Sequence, residues 1–387
     1  MKKKQIYLLI FTIIFAINGV KSQNKKYDFN GFIQYINTTW NPEDNINWME
    51  ISSVHNRFDW HWYINNKLTF YAGLRNNLDY GSLLANFYPY YINSITQDNG
   101  FLNLTHKWTG KPNYFFYSNI DRLNLKWNYK KIEFTLGRQR INWGVNQVWN
   151  PNDIFNTYNY FDFSYINRPG SDAVRIQYYT GNFSSIQVAA KLNREKQITT
   201  AAMYKFNFAN YDFQLLSGVM NKNFLTYGGG WAGQIKDVGF TGEVTCFTNL
   251  KNDSTPKTQC IASVAANYTF SNSLFVNVSA LYNSAGKTQN IGQRDLLTSI
   301  NLSPQTLTLS KFNLFGELSY PITPLIKADI SAIFDPYDNS AFIGPSLDFN
   351  LSNSVDLLAM AQIFAGKTET EYGGFGQMYY LRLKWDF

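Results

Sequence analysis

The chain has 387 residues and a formal net charge of +7, and because residues 1–22 contain four lysines and no acid, residues 23–387 carry only +3. So small a charge gives no reason to expect a nucleic-acid partner. No apolar run beyond residue 22 approaches the roughly 20 residues of a transmembrane helix, yet 18% of the residues are aromatic, which is unusual in a soluble domain and typical of an outer-membrane barrel.

The first 22 residues have the pattern of a secretory signal peptide. Three lysines follow the initial methionine, an apolar run extends from Ile6 to Ile17, and Ser22 marks a suitable cleavage position. A membrane anchor is the alternative, but the run is short for a bilayer span. We therefore expect a signal peptide over 1–22 and a single outer-membrane β-barrel domain over 23–387.

From residue 27 onward, apolar and polar residues alternate in short segments bounded by turn residues, which predicts strands. The predicted fold is all-β: a transmembrane antiparallel up-and-down barrel of 16 to 18 strands, with loops folded into the lumen. The predicted strands are 27–39, 51–63, 66–77, 115–128, 131–140, 172–181, 183–191, 198–208, 210–220, 223–236, 237–248, 259–270, 273–284, 308–320, 324–335, 339–350, 353–364 and 376–387.

The connections between these strands fall into two classes. Those after even-numbered strands are tight, such as TGN at 180–182 and PITP at 321–324, whereas those after odd-numbered strands are usually long, such as 78–114 and 141–171. Single-chain outer-membrane barrels have short periplasmic turns and long extracellular loops. A soluble sandwich has no reason to sort its loops in this way.

The last ten residues, MYYLRLKWDF, alternate strictly and end on Phe387. This resembles the terminal strand by which the barrel assembly machinery recognises outer-membrane proteins. The alternative is an amphipathic edge strand of a secreted sandwich.

The same alternation assigns the faces of the strands. In the first third of the barrel it directs Arg122, Lys126 and Arg175 inward, and at about 18 strands the inward side chains line a water-filled passage. The lumen wall of this third is therefore expected to be basic.

The stretch LGRQRINWGVNQVWNPNDIF, 136–155, interrupts the regular pattern. Strict alternation would point Arg138 and Arg140 at lipid, at a cost of roughly 2 to 4 kcal/mol each near the midplane. A β-bulge at Gly137 would turn both inward. The aromatic loop 141–171 that follows is expected to fold into the mouth or lumen and narrow the pore, with Trp143 and Trp149 at the constriction; packing of these aromatics against the wall is the alternative.

Four short elements in this region resemble a signature of a bacterial outer-membrane family of porin-like barrels with unassigned substrates. They are GRQ at 137–139, WG at 143–144, NP followed by Asp at 150–153, and RPG at 168–170. The GRQR strand is also loosely similar to the alginate-export barrels, which are 18-stranded channels with a basic lumen. The resemblance implies that Arg138, Arg140 and Arg168 lie in the lumen or constriction. The rest of the chain shows no such match.

Cys246 and Cys260 are the two cysteines, and they lie symmetrically about Asp253 in a predicted hairpin. Such residues face each other across an antiparallel pair, so a disulfide is possible, with two free thiols as the alternative. The three histidines lack an accompanying nucleophile motif and are expected to line the lumen. Nothing in the sequence predicts a catalytic site, a metal site or a cofactor.

The sequence therefore predicts a non-enzymatic channel in the outer membrane of a Gram-negative bacterium, surrounded by lipid and lipopolysaccharide, for small hydrophilic, anionic or sugar-like solutes. The alternatives are a secretion partner or surface-binding barrel with a plugged lumen, and a lipid-modifying barrel enzyme. The expected lumen and constriction residues are Arg122, Lys126, Arg138, Arg140, Trp143, Trp149, Asp153, Arg168 and Arg175.

Overall fold

A computed structural model describes residues 26–43, 47–88, 90–158, 160–161, 170–251, 256–293 and 303–387. The expected signal peptide, Asp253 and Arg168 lie outside these ranges. Within them, no helix is long and apolar enough to cross a bilayer. The described chain is almost entirely one antiparallel sheet.

The sheet contains nineteen strands, and two short helices and one 3₁₀ turn lie in its loops. The strands are β1 Tyr27–Asn41, β2 Met49–Asn65, β3 Leu68–Tyr80, β4 Thr105–Lys111, β5 Tyr114–Tyr129, β6 Ile132–Gln139, β7 Ser171–Tyr179, β8 Ser185–Leu192, β9 Ile198–Phe208, β10 Tyr211–Met220, β11 Phe224–Ile235, β12 Val238–Asn249, β13 Thr258–Thr269, β14 Phe275–Asn283, β15 Phe312–Thr323, β16 Ile326–Asp335, β17 Ser340–Ser352, β18 Val355–Ala365 and β19 Gln377–Asp386. The helices are α1 Ser82–Phe87 and α2 Tyr90–Ile95, and the 3₁₀ turn is Pro304–Thr306.

Eighteen of these strands close into a barrel. The first strand β1 pairs with β2 on one edge and with the last strand β19 on the other, in a register that runs from Phe32 opposite Asp386 to Asn41 opposite Gln377. Closure pairs each of these eighteen strands on both sides, as a bilayer requires. The prediction of an antiparallel barrel of about 18 strands is confirmed.

Within the described residues, β4 is the one strand that the sequence pattern does not predict. It pairs with the first residues of β5, from Tyr114 to Asn119. The next barrel strand, β6, pairs only with the later part of β5, from Leu123 to Tyr129. Strand β4 therefore adds wall beside β5, beyond the end of β6.

The two-residue turns lie at one end of the barrel and the long connections at the other, as predicted, although the three-residue connection 221–223 lies at the end with the long ones. The turns at 66–67, 209–210, 236–237 and 353–354 each contain two residues, whereas the connections 81–113 and 140–170 are long. We call the end of the barrel with the two-residue turns the turn end, and the end with the long connections the loop end. The first and last described residues of the chain both lie at the turn end.

The alternation of faces follows the predicted phase. Val54, Trp60, Leu125 and Ile176 are exposed on the outer surface, whereas alternate residues such as Arg57 are buried. An outer surface of apolar and aromatic side chains is the surface that a bilayer accommodates.

The predicted bulge at Gly137 is wrong. The registers of β5 with β6 and of β6 with β7 continue through this residue without a shift. Gly137 instead has a φ of +115°, a conformation that glycine adopts far more readily than other residues. The register shift lies between β3 and β5: Gly73 stands opposite Arg122 and Leu74 opposite Ile120, so the pairing of the two strands passes over position 121.

The predicted disulfide is present. Cys246 on β12 pairs in register with Cys260 on β13, and their sulfur atoms are bonded. The bridge closes the hairpin that contains the loop 250–257.

Candidate functional site

The barrel encloses a cavity of about 870 Å³ toward the loop end. One side is formed by inward residues of β1, β2, β3 and β5, such as His55, Asn77 and Tyr117. The opposite side is formed by the connection between β6 and β7, residues 140–170, which we call the inner loop. Its segment from Ile154 to Tyr158 lines the cavity.

Glu243 on β12 holds the inner loop against the wall. This carboxylate is 1% exposed, and it accepts hydrogen bonds from the backbone N–H groups of Val145, Asn146 and Asn152, the last two at 2.9 Å. A buried backbone N–H left without an acceptor costs about 1–3 kcal/mol, so these bonds hold the loop in place. One side chain thus fixes two separate turns of the loop.

Neutral side chains on the neighbouring strands add further anchors. Gln214 on β10 donates to the carbonyl of Trp143 at 2.6 Å, and Asn152 donates to the carbonyl of Gly229 at 3.0 Å. Ser263 on β13 donates to the carbonyl of Trp149 at 2.9 Å. The first half of the loop is therefore bound to the inner wall from β10 to β13.

The later part of the loop packs by its aromatic rings. Tyr160 lies edge-on to Phe315 and Phe342, and Phe161 lies edge-on to Phe342 at 4.9 Å between ring centroids. Burial raises the pKa of Tyr160 to about 12, so its phenol stays neutral at ordinary pH. The prediction that the loop folds into the lumen is confirmed for its described residues.

The opposite wall contains a buried network of ion pairs. Arg57 is 1% exposed and donates to Asp59 at 2.7 and 2.8 Å and to Asp121 at 2.5 Å. Tyr71 donates to the same Asp59 carboxylate. The register shift at Asp121 turns this carboxylate inward, where it neutralises Arg57.

The predicted basic residues have acidic or carbonyl partners. Arg175 and Lys126 share the carboxylate of Glu133, with 2.6 Å between the lysine nitrogen and its oxygen. Arg122 donates to the carbonyl of Asp121 at 2.7 Å. These inward cations follow the predicted phase, but the sequence pattern did not reveal the acids beside them.

Arg140 and Arg138 have partners of their own. Arg140, after the end of β6, donates to the side-chain oxygen of Asn142. Arg138 is 4% exposed and binds Asp172 at 2.7 Å and Asp98 at 2.8 Å. Its remaining N–H groups donate to the carbonyls of Ile120 and Leu102, so Arg138 connects three elements of the wall. The structure therefore does not gather the predicted arginines into one positive patch.

The two predicted constriction tryptophans lie on the wall side of the inner loop. The indole N–H of Trp143 donates to Gln187 on β8, and Trp149 lies edge-on to Phe315. Asp153 is buried and accepts from the backbone N–H of Trp143 at 3.4 Å. Among the described residues of the loop, those that line the cavity are Gln147, Ile154–Tyr158, Tyr160, Phe161 and Gly170.

Charges of both signs line the cavity in equal number among the described residues. Its cations are Arg75, Arg138, Lys191 and Arg382, and its carboxylates are Asp79, Asp98, Asp121 and Asp172. Lys191 donates to the carbonyl of Phe155 at 2.6 Å, so it also ties the inner loop to β8. The cavity is polar without a large net charge.

Comparisons with solved structures find the same architecture in bacterial proteins, one of which is described as an outer membrane protein. The outer membrane protein OprD of Pseudomonas aeruginosa has a TM-score of 0.61 and 7% identity, over 95% of this chain and 95% of that chain. This chain has the β-barrel fold of that outer membrane protein. OccAB1 of Acinetobacter baumannii has a TM-score of 0.60 and 7% identity, over 95% and 98% of the two chains. Pseudomonas aeruginosa OpdK, solved with vanillate, has a TM-score of 0.57 and 8% identity over 93% and 98%.

No protein-family model and no curated protein sequence matches the chain. The GRQ to RPG signature and the similarity to alginate-export barrels therefore stay predictions from the sequence. The solved structures support the coarser expectation, a porin-like barrel of 18 strands.

Sequence reasoning missed Glu243 and Lys191 as important residues. Glu243 occurs in GEVT at 242–245, where an acid in an inward position is ordinary for a lumen. Its partners are backbone groups about 91 to 98 positions away. Contacts between residues so far apart produce no local pattern in the sequence. The only indication in the sequence was that an aromatic inner loop must be bound to some part of the barrel wall.

Proposed function

We propose that this protein is an outer-membrane channel for the passive or selective passage of small hydrophilic solutes. The observation that carries the proposal is the cavity between the inner loop and the β1–β5 wall, inside a closed barrel with an apolar outer surface. A loop pinned across part of the lumen sets a size limit, and the polar groups around the remaining space replace part of the solute's hydration.

Of the anionic and sugar-like solutes expected from the sequence, the sugar-like class fits the contacts better. The cavity cations are matched in number by carboxylates, and Arg138 is bound by two of them. Paired charges present hydrogen-bond donors and acceptors without a strong net field. The proposed solute is therefore small, polar and rich in hydroxyl groups, and charge selectivity is weak.

The alternative of a plugged barrel requires the loops to fill the lumen, and the cavity disfavours it. The enzymatic alternative lacks support at His55, whose ring nitrogens contact Gln34 and Asp79. Neither contact supplies the serine hydroxyl that a lipid hydrolase would need beside its histidine.

Planar-bilayer recording of the purified barrel tests the proposal. We expect stepwise single-channel currents, a reversal potential near zero across a KCl gradient, and swelling of loaded liposomes in a small neutral sugar. Folded protein that conducts no current would refute the channel, whereas a reversal potential of strongly anion-selective sign would refute only the sugar-like preference.

A matched pair of variants on β1 tests the position of the passage. Thr38 lines the cavity, and Thr39 is the next residue on the opposite face of the strand. Thr38→Trp should lower the conductance because it fills part of the cavity, while Thr39→Trp should leave the conductance unchanged because the ring faces outward. Equal conductance in both variants would place the passage elsewhere.

A further inference from the structure

A second cavity of about 490 Å³ lies in the outer surface of the barrel, toward the loop end of β6 to β9. Outward residues of these strands form its inner side, and residues 101–104 form its opposite side. Its apolar lining includes Phe101, Leu104, Leu136, Val174, Ala190 and Ile198. We call it the outer groove.

The strands at the outer groove are short for a membrane span. Strands β6 and β8 have 8 residues each, whereas a transmembrane strand needs about 9–11 residues. The wall by itself is therefore too low to cover the apolar layer of the bilayer at this position.

Residues 101–104 extend the wall at this low point. Phe101 and Leu102 are 49% and 50% exposed although they belong to a loop. Two exposed apolar side chains that continue the apolar outer surface of the strands below them are suited to lipid. The segment therefore lies beside the loop-end leaflet of the bilayer.

Polar contacts hold this segment in place, so the groove exists without a ligand. The backbone N–H of Leu102 donates to Asp172 at 2.8 Å, and its carbonyl accepts from Arg138 at 2.6 Å. Leu104 donates to Asp98 at 2.8 Å, and its carbonyl accepts from Ile120 at 3.0 Å. A groove with fixed walls costs less free energy to fill than one that must form on binding.

We infer that the outer groove binds one acyl chain of a membrane lipid in the loop-end leaflet. Its surroundings determine the occupant, because the groove opens among lipid-facing side chains where hydrocarbon chains are the surrounding medium. Its volume of about 490 Å³ accommodates about 16 methylene groups, if each takes roughly the 30 Å³ of a water molecule.

The Arg138–Asp172 ion pair forms the floor of the groove and also lines the inner cavity. A bound chain and a solute in the lumen are thus separated by this ion pair, with Lys191 and Leu192 beside it. The acyl chain covers the buried charges from the lipid side and is not itself part of the passage.

Photolabelling in liposomes tests the inference. The intact protein is reconstituted in phosphatidylcholine that includes a trace of phosphatidylcholine with a diazirine in one acyl chain, and the adducts are mapped by mass spectrometry. We expect adducts at 101–104, Val174 and Ala190 to exceed the average of the other outward residues several-fold. Uniform labelling around the barrel would overturn the inference.

Two matched pairs of variants separate occupancy of the groove from general contact with lipid. Ala190→Phe on β8 and Val174→Phe on β7 fill the groove and should reduce the adducts at 101–104 to the barrel average. Val188→Phe and Ile176→Phe lie two residues away on the same outer faces and should leave those adducts unchanged. Adducts at 101–104 that persist in a folded groove-filling variant would also overturn the inference, and two strands are used so that one misfolded variant does not prevent the test.

Discussion

At the scale of single residues, Arg138 depends on a neighbour without a side chain. A Cβ atom at Gly100 would lie 2.0 Å from a guanidinium nitrogen of Arg138 and 2.7 Å from a carboxylate oxygen of Asp172. Position 100 must therefore lack a Cβ atom for the Arg138–Asp172 ion pair to form in this geometry. The alternation in the sequence indicated that the Arg138 side chain would face lipid. A loop about 40 positions away shields it, because Asp98 and the carbonyl of Leu102 bind its guanidinium group.

The first prediction follows from that contact. Gly100→Ala should lower the free energy of unfolding by about 1–3 kcal/mol, the usual cost of overpacking, because the Arg138–Asp172 pair must shift. Urea unfolding in lipid vesicles, followed by tryptophan fluorescence, measures the change. Gly316→Ala is the control, since nothing lies within 4 Å of a Cβ at Gly316. Equal stability of the two variants would contradict the prediction.

The second prediction concerns the buried cation Arg57. Its removal takes from Asp59 and Asp121 the cation that both carboxylates contact, and breaking a buried pair in this way costs about 3–5 kcal/mol. Arg57→Met should therefore unfold at clearly lower urea concentration than the parent protein. Arg194→Met, at an exposed loop position, should change the stability by less than about 0.5 kcal/mol. A small loss in Arg57→Met would mean that water already screens this network.

At the scale of elements, the sequence predicted that the inner loop is packed but not which of its sides faces the cavity. Its aromatic content predicted a packed loop, and Gly144 and Pro151 indicated bends. Which side of the loop faces the cavity depends on Glu243 and on the inward residues of β10 to β13. These partners are far apart in the chain, so periodicity alone could not orient Trp143 and Trp149 toward the wall.

The third prediction tests the anchoring role of Glu243. Glu243→Gln replaces one acceptor oxygen by an N–H₂ group, and a buried backbone N–H that loses its acceptor costs about 1–3 kcal/mol. The inner loop should loosen, and single-channel recordings should show added current noise and a changed open-state conductance. Asp212→Asn removes an equal charge from β10, where Asp212 contacts Lys205 and Asn207 at the turn end, and should leave the recordings unchanged. Identical noise in both variants would show that other contacts suffice to hold the loop.

The fourth prediction concerns the β12–β13 hairpin. A disulfide between residues 14 positions apart stabilises by about 3 kcal/mol in the chain-entropy model. The Cys246→Ser/Cys260→Ser double variant should therefore unfold at lower urea concentration, and a reducing agent should lower the stability of the parent protein but not of the variant. Sensitivity of the double variant to the reducing agent would show that the effect does not come from this bond.

The short strand β4 could not be predicted from the alternation of apolar and polar residues. Its seven residues, THKWTGK, contain one large apolar side chain and pair with β5 on one edge. A strand that adds to the wall at its rim needs no apolar face along its length. The pattern therefore resembled a loop, and the region 78–114 was predicted as a single long connection.

At the scale of the whole molecule, the fold could be predicted more fully than the site. The sequence of each barrel strand indicates which of its faces meets lipid, because lipid-facing positions such as Leu136 and Ile176 must be apolar. Inward positions face only one another, and many polar combinations satisfy them. The identity of the inward residues was therefore readable, while their pairing, which determines the charge of the passage, was not.

The last prediction separates the closure of the barrel from its recognition in the cell. The backbone of Phe387 exchanges two hydrogen bonds of 3.0 Å with Gly31, and its ring lies near Phe29 and Phe58. Phe387→Ala keeps the backbone bonds that close the barrel and removes only the ring.

If the ring is the signal for the barrel assembly machinery, Phe387→Ala should refold into lipid vesicles with little loss and yet accumulate poorly in the outer membrane of cells. Phe270→Ala, which removes another exposed ring at the turn end, should behave like the parent protein in both assays. Impaired refolding of Phe387→Ala in pure lipid would instead assign the ring to closure of the β1–β19 seam. Normal assembly of Phe387→Ala in cells would contradict the expectation that the barrel assembly machinery recognises this ring.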